Sequence, residues 1–155
     1  MTQQTISPFL WFDQQAEQAA NFYVSIFKDS AVETIIRYPE AKVLTVAFRL
    51  NGQQFTALNG GPKYKFTEAV SFVVNCETQA EVDHYWDRLS EGAQQIQCGW
   101  VKDKFGLSWQ IVPKVFFEMI QDRDPARVKR VMDAMLQMKK LDIATLEKAF
   151  HPAPG

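Results

Sequence analysis

Residues 43–58, VLTVAFRLNGQQFTAL, decide the fold of this chain because they describe two strands joined by a tight turn. From Val43 to Leu50, large apolar side chains alternate with Thr, Ala and Arg, which is the pattern of a half-buried strand. Asn51-Gly52 suits the left-handed backbone of a two-residue hairpin turn. A second strand follows from Gln53 to Leu58 and stops at Asn59-Gly-Gly-Pro62. These residues therefore predict an antiparallel hairpin.

The segments before the hairpin complete one structural module. An aromatic run from Ile6 to Phe12 predicts a buried strand, and Asp13 is suited to cap the helix that follows. Apolar residues between Ala16 and Phe27 recur at spacings of three and four, which predicts a helix with one apolar face. A further strand is expected from Ala31 to Tyr38. Residues 6–62 are thus predicted to form a β-α-β-β-β module.

The same order of elements then repeats. Residues 69–76 predict a strand, Thr78-Gln-Ala-Glu81 is a capping box, and an apolar helical stripe follows. A closing segment from Gly106 to Gln110 corresponds to Gly52–Thr56 of the first half. Residues 69–113 are therefore predicted to form a second module. Each module is too small to bury its own sheet, so we expect both within a single domain, residues 1–155.

Residues 114–150 change to helical patterns. Helices are predicted over Lys114–Gln121, from Asp124-Pro125 onwards, and from Asp142 to Phe150. The fold class predicted is α+β: paired β-α-β-β-β modules followed by C-terminal helices.

Composition and charge exclude several classes of protein. The 155 residues carry 17 Lys and Arg against 18 Asp and Glu, and the basic residues are scattered, so we expect no nucleic-acid partner. No stretch approaches the roughly 18 apolar residues of a membrane span, and the first seven residues lack a signal sequence. We therefore expect no membrane association and a cytoplasmic location. Cys76 and Cys98 are expected to be reduced thiols.

Five short motifs follow one another along the chain: PFLWFD (8–13), NFY (21–23), LNGG (58–61), FVVNCE (72–77) and DKFGLSWQIVP (103–113). In this order and spacing, they resemble the PhnB-like family of the glyoxalase/bleomycin-resistance/extradiol-dioxygenase superfamily, also called vicinal oxygen chelate. Similar members often carry the name 3-demethylubiquinone-9 3-methyltransferase. The resemblance is taken to extend over the C-terminal helices, and it implies cupped sheets around a small-molecule cavity and a homodimer. It does not establish a reaction.

The resemblance also implies where a metal would bind. Superfamily metalloenzymes use His, Glu or Gln from equivalent strands. In this chain, the equivalent positions fall at Pro8, Thr56, Ser71 and Gln110. Only Gln110 can coordinate, and one neutral amide is insufficient. His84 lies on a predicted helix and His151 in the tail, so we expect no bound metal and no cofactor.

The sequence lacks a feature that a methyltransferase of the common fold requires. The common fold that binds S-adenosylmethionine needs a parallel sheet with a glycine-rich turn from strand to helix. The cluster Asn59-Gly-Gly-Pro62 precedes a Lys-rich loop, so we interpret it as a turn between modules. No catalytic residue is identified, since neither Cys76 nor Cys98 has a base nearby in sequence.

Strand parity predicts which side chains line the cavity. The helix-covered faces are expected to carry Phe9, Trp11, Phe55, Phe72, Val74, Trp109 and Ile111. The opposite faces are expected to carry Leu10, Phe12, Gln54, Thr56, Ser71, Asn75, Ser108 and Gln110. This second set is polar but uncharged.

The predicted ligand site is built on these opposite faces. A small polar or anionic organic molecule would bind through Arg49, Thr56 and Gln110 beside Ser71, with Phe12 and Trp100 as apolar walls. Arg49 supplies the cation, unless it pairs with a surface carboxylate instead. Binding without turnover, metal-independent catalysis, a metal-dependent lyase or dioxygenase, and the methyltransferase of the family name all stay open.

Overall fold

The computed structural model describes residues 4–154, which form two four-stranded sheets and five helices. The strands are β1 (Phe9–Phe12), β2 (Ala31–Arg37), β3 (Val43–Leu50), β4 (Gln53–Asn59), β5 (Phe72–Cys76), β6 (Gln94–Gln95), β7 (Trp100–Lys102) and β8 (Ser108–Pro113). The helices are α1 (Ala16–Val24), α2 (Gln79–Leu89), α3 (Lys114–Met119), α4 (Pro125–Leu136) and α5 (Ile143–Phe150). The predicted α+β fold class is confirmed. None of the helices in the described part of the chain is long and apolar enough to cross a membrane.

The first compact unit ends at Phe66 and contains one sheet in the order β1-β4-β3-β2. Strand β1 is parallel to β4, while β3 is antiparallel to both β4 and β2. The predicted hairpin turn is present: Asn51 and Gly52 have φ values of 48° and 81°. Strand β3 has the predicted bounds, because its alternation extends to the residue before the turn.

Helix α1 packs on one face of this sheet through aromatic rings. The ring of Tyr23 stacks on Phe48 at 6.3 Å, and Phe48 stacks on Phe55 of the next strand at 5.4 Å. The predicted cap at Asp13 is wrong, because the helix begins after Gln15 and has no local side-chain cap. Instead, the Asn59 amide oxygen accepts from the Ala16 N–H at 2.8 Å.

The second compact unit begins at Thr67, and its sheet has the order β5-β8-β7-β6. Its parallel pair, β5 and β8, occupies the same place in the order as β1 and β4. Helix α2 begins at the predicted cap, where the Thr78 hydroxyl accepts from the Glu81 N–H at 3.2 Å. The Glu81 carboxylate accepts from the N–H of Glu77, one residue before the position that a standard capping box uses.

Two strands start three residues later than predicted. Before β1, Pro8 has no N–H to donate to a sheet, and only its carbonyl is used, accepting from the Thr56 N–H at 3.0 Å. Before β5, a turn at Thr67 takes the N–H groups of Ala69 and Val70. In both places, local hydrogen bonding delays the start of the strand, although the preceding apolar residues predict an earlier start.

The C-terminal helices form their own apolar cluster at the end of β8. Its buried members are Val112, Phe116, Met119, Val131, Leu141 and Leu146. The predicted caps are present, since Asp124 and Asp142 accept from N–H groups in the first turns of α4 and α5. The segment before α5 is tied to α2 by the Gln79 amide, which donates to the Leu141 carbonyl and accepts from the Ile143 N–H.

Candidate functional site

The face of the first sheet that lies opposite α1 is called here the first open face. Strand register assigns its members, because directly paired residues point to the same side of a sheet. Thr56 pairs with Phe9 on one side and with Ala47 on the other, and Gln54 pairs with Arg49. Phe9 is 61% exposed. Thr56 therefore lies on an accessible surface that combines polar groups with an exposed aromatic ring.

The expected position of Phe12 is wrong. Leu10 and Phe12 pair with Ala57 and Asn59, so they lie on the α1 side of the sheet. Phe12 is only 3% exposed, and its ring packs edge-to-face against Phe66 at 5.2 Å. The residues Phe9 and Trp11, which were assigned to the helix side, lie on the first open face instead. Phe12 is thus a core residue rather than a wall of an open pocket.

Arg49 already has partners on the first open face. Its guanidinium forms an ion pair with Glu33 and donates to the Gly52 carbonyl at 3.1 Å. The side chain is only 12% exposed. The irregular pairing of β2 at Val32–Thr34 presents Glu33 to Arg49. The structure therefore has the alternative arrangement, in which a carboxylate neutralises Arg49.

The second open face is the side of the second sheet opposite α2, and it carries a preformed polar pair. The Gln110 side-chain amide donates to the Ser71 hydroxyl at 2.9 Å. Trp100 on β7 pairs directly with Gln110 and is partly exposed. Lys102, on the same strand, forms an ion pair with Glu68 at 3.0 Å. The predicted residues Ser71, Trp100 and Gln110 are thus neighbours on one face.

Sequence reasoning gave no special role to two buried oxygens that occupy equivalent positions. Gln54 Oε1 and Ser108 Oγ have no hydrogen-bond partner among residues 4–154. Gln54 comes two residues after Gly52, near the start of β4, and Ser108 comes two residues after Gly106, at the start of β8. A buried polar atom without a partner is costly, and such atoms are often satisfied by water or a ligand. Correspondence between the two halves was the signal that could have singled them out.

The four positions where the superfamily would place metal ligands do not supply a suitable donor set. Pro8 has no side-chain donor, and Thr56 and Ser71 offer neutral hydroxyls. The Gln110 amide is already bonded to Ser71. Elsewhere in residues 4–154, no group of three or more His, Cys, Asp or Glu side chains lies close enough to hold a metal. Divalent transition metals prefer imidazole, thiolate or carboxylate ligands, so these residues do not fit one.

The glycine cluster closes the ends of β1 and β4. The Gly60 N–H donates to the Phe12 carbonyl at 2.8 Å, and the Trp11 indole N–H donates to the Gly61 carbonyl at 2.8 Å. A Cβ at Gly60 would lie 2.4 Å from the Trp11 ring. The glycines therefore leave room for the Trp11 ring, which agrees with the interpretation of residues 59–62 as a turn.

The two thiols differ in their surroundings, and both are free. Cys76 is fully buried, and burial raises the pKa of its thiol to about 12, with a smaller contribution from the Glu81 carboxylate. Such a thiol is neutral at physiological pH and is a poor nucleophile. Cys98 is partly exposed between β6 and β7.

Comparisons with known proteins identify relatives over part of the chain. Residues 4–112 match the family described as 3-demethylubiquinone-9 3-methyltransferase. A putative 3-demethylubiquinone-9 3-methyltransferase, PhnB protein, from Bacillus cereus is 34% identical, with a TM-score of 0.67 over 71% of this chain and 99% of its own. A search of curated proteins found no match.

More distant solved structures share the fold. A protein from Pseudomonas aeruginosa is 16% identical, with a TM-score of 0.61 over 72% of this chain and 98% of its own. The fosfomycin resistance protein FosX from Listeria monocytogenes, complexed with Mn(II) and sulfate, is 14% identical, with a TM-score of 0.51 over 73% of this chain and 91% of its own. The family match ends at residue 112, so the expectation that it extends over the C-terminal helices is wrong.

Proposed function

Because the chain belongs to the PhnB-like family described as 3-demethylubiquinone-9 3-methyltransferase, we propose that it binds a small polar organic molecule on the second open face, without a metal. The observation that carries this proposal is the hydrogen bond between Gln110 and Ser71. It holds both side chains in place and leaves the Gln110 carbonyl oxygen, one amide hydrogen and the Ser71 hydroxyl hydrogen for a ligand. Fixed donors and acceptors among apolar side chains are typical of small-molecule sites.

Charge favours an uncharged ligand over an anion. Two cations on the open faces, Arg49 and Lys102, each pair with a carboxylate, Glu33 and Glu68 respectively. An anionic ligand would have to displace a carboxylate before it gained a cation. Hydrogen bonds from Ser71 and Gln110 involve no such displacement.

The metal-dependent alternative is a lyase or dioxygenase of the same superfamily. FosX has been solved with Mn(II), but its low identity relates only the folds. In this chain, the corresponding positions offer hydroxyls, one amide and a proline, which is why the proposal is metal-independent.

The methyltransferase of the family description is the second candidate function, and the family match is the observation that favours it. The glycine cluster that might approach a cofactor is instead packed against Trp11. We therefore expect isothermal calorimetry to detect no binding of S-adenosylmethionine to the full-length protein. Saturable binding with one site per chain would favour the methyltransferase.

Native mass spectrometry of the full chain purified from its own cells tests the proposed function. We expect one small organic molecule for each chain. The variant Gln110→Leu should lower the fraction of chains that carry the ligand. We expect a roughly tenfold loss of affinity, because the substitution removes about 1.4 kcal/mol of hydrogen bonding to the ligand. Gln137→Leu, at an exposed position after α4, is the matched control and should retain the ligand. Full occupancy in Gln110→Leu would contradict the assigned site.

We further infer a homodimer, because the sheet edges β1, β2, β5 and β6 need protection from unwanted pairing. Exposed apolar side chains on β1, β2 and β5 support this: Phe9, Ile36 and Val73. Light scattering at micromolar concentration should give twice the chain mass of 17.8 kDa. A single species at the chain mass would contradict the dimer.

A further inference from the structure

A groove of about 580 Å³ lies between α3 and α5 in the second unit. Its lining residues are Val115, Glu118, Met119, Ala144, Glu147, Lys148, Phe150 and His151. All of them come after residue 112, where the family match ends. The family match therefore includes none of the residues that line the groove.

The floor of the groove is apolar. Val115 and Met119 from α3 and Phe150 from α5 belong to or pack against the apolar cluster of the C-terminal helices. The volume falls within the range of roughly 300–1,000 Å³ that is usual for small-molecule sites. The size and the floor suit a short hydrocarbon chain or a single ring.

The rim of the groove carries two carboxylates that the protein does not neutralise. Glu118 on α3 and Glu147 on α5 are exposed, and neither carboxylate has an ion-pair or hydrogen-bond partner among the described residues. By contrast, Glu68, Glu77 and Glu91 of the same unit each pair with a Lys or Arg. Lys148 is the one ammonium group in the lining, so the carboxylates outnumber it two to one.

The Phe150 ring in the lining already contacts one of the protein's own cations. The Arg127 guanidinium lies 5.3 Å from the centroid of the Phe150 ring. Aromatic faces attract cations, and a nearby carboxylate strengthens that preference. An apolar floor with an anionic rim is complementary to a cation that has a hydrophobic body.

We propose that the groove between α3 and α5 binds a small organic amine in its ammonium form, with the apolar body on Val115, Met119 and Phe150. The ammonium group lies between Glu118 and Glu147. None of the residues proposed to bind a ligand on the second open face lines this groove, so the groove can bind an amine whether or not that face binds a ligand.

Methionine-methyl NMR of the full-length protein tests this proposal, because Met119 lies in the groove. The Met119 signal is assigned with Met119→Leu. The probes are hexylammonium, hexanol and hexanoate, which share one hydrocarbon chain and differ in charge. We expect a saturable Met119 shift with hexylammonium, binding of hexanol weaker by roughly fivefold, and still weaker binding of hexanoate.

The carboxylates are tested with Glu118→Gln and Glu147→Gln, each of which should weaken hexylammonium binding by roughly two- to fivefold. Glu40→Gln is the matched control, since Glu40 is also exposed but lies in the first unit. Its titration should be unchanged. The proposal is overturned if Met119 does not respond at about 10 mM hexylammonium, because binding would then be weaker than about 2.7 kcal/mol. It is also overturned if hexanol or hexanoate binds at least as tightly as hexylammonium.

Discussion

The indole N–H of Trp109 donates a hydrogen bond of 2.9 Å to the carboxylate of Asp103, and both residues are buried. The other oxygen of that carboxylate accepts from the N–H groups of Phe105 and Leu107, at 2.9 and 3.0 Å. One side chain therefore organises the turn between β7 and β8. That turn sets the register that places Trp100 beside Gln110.

Removing this carboxylate should destabilise the fold. Asp103→Ala leaves the Trp109 indole N–H and two backbone N–H groups without their acceptor, so we expect a loss of about 2–4 kcal/mol in the free energy of unfolding. Urea denaturation measures the change. Asp133→Ala is the control, because Asp133 forms only an exposed ion pair with Lys129 and should cost less than about 1 kcal/mol. Equal losses in the two variants would show that the buried hydrogen bonds are unimportant.

Gly60→Ala should destabilise the protein through Trp11. The added Cβ would overlap the indole ring, whose nearest atoms lie 2.4 Å from the Cβ position, and we expect a cost of about 1–3 kcal/mol. Unfolding is to be followed in the wild-type background and again in Trp11→Ala. The cost should largely disappear in the second background. A cost that is the same in both would contradict the proposed clash.

Cys76 should make stability fall at alkaline pH. Its pKa is about 12 in the folded chain against an ordinary value of 9.0, so the fold favours the neutral thiol. This contribution is fully present below pH 9 and is lost as the pH rises from 9 towards 12, by about 1.4 kcal/mol at pH 10. The measurement compares unfolding free energies at pH 7 and pH 10 for the wild type and Cys76→Ala. Parallel pH dependences in the two proteins would refute the assignment.

Arg49→Ala should leave ligand occupancy unchanged, because Glu33 already neutralises the guanidinium. The cost in the free energy of unfolding should be about 1–3 kcal/mol, because the guanidinium is largely buried and its loss removes a hydrogen-bond donor from both Glu33 and the Gly52 carbonyl. Native mass spectrometry measures the occupancy, with Gln110→Leu as the variant that loses it. A tenfold loss of ligand affinity in Arg49→Ala would instead indicate that the ligand is an anion that displaces Glu33.

Local sequence signals predicted the elements but not their partners. The turn at Asn51-Gly52 and the caps at Thr78, Asp124 and Asp142 were predictable because each depends on a few neighbouring residues. The face occupied by Phe12 was not, because it depends on the register of the parallel pair β1 and β4, which alternation within β1 does not contain.

Long-range polar contacts also could not be predicted from the sequence. Glu33 reaches Arg49 because the pairing of β2 is irregular at that point, and no periodic pattern marks such an irregularity. The strands β6 and β7 have two and three residues, which is too short for an alternation to be recognised. The prediction that Ser71 and Gln110 contribute to one site is compatible with their hydrogen bond, but binding itself is still a prediction.

The central claim is that this chain binds its ligand without a metal, because Pro8, Thr56, Ser71 and Gln110 are inadequate ligands. Elemental analysis of the full-length protein, purified from its own cells without chelators, tests that claim most directly. We expect less than about 0.1 equivalent of Mn, Fe, Ni or Zn for each chain, alongside the bound organic molecule. One equivalent of any of these metals, lost in the variant Gln110→Ala, would contradict it.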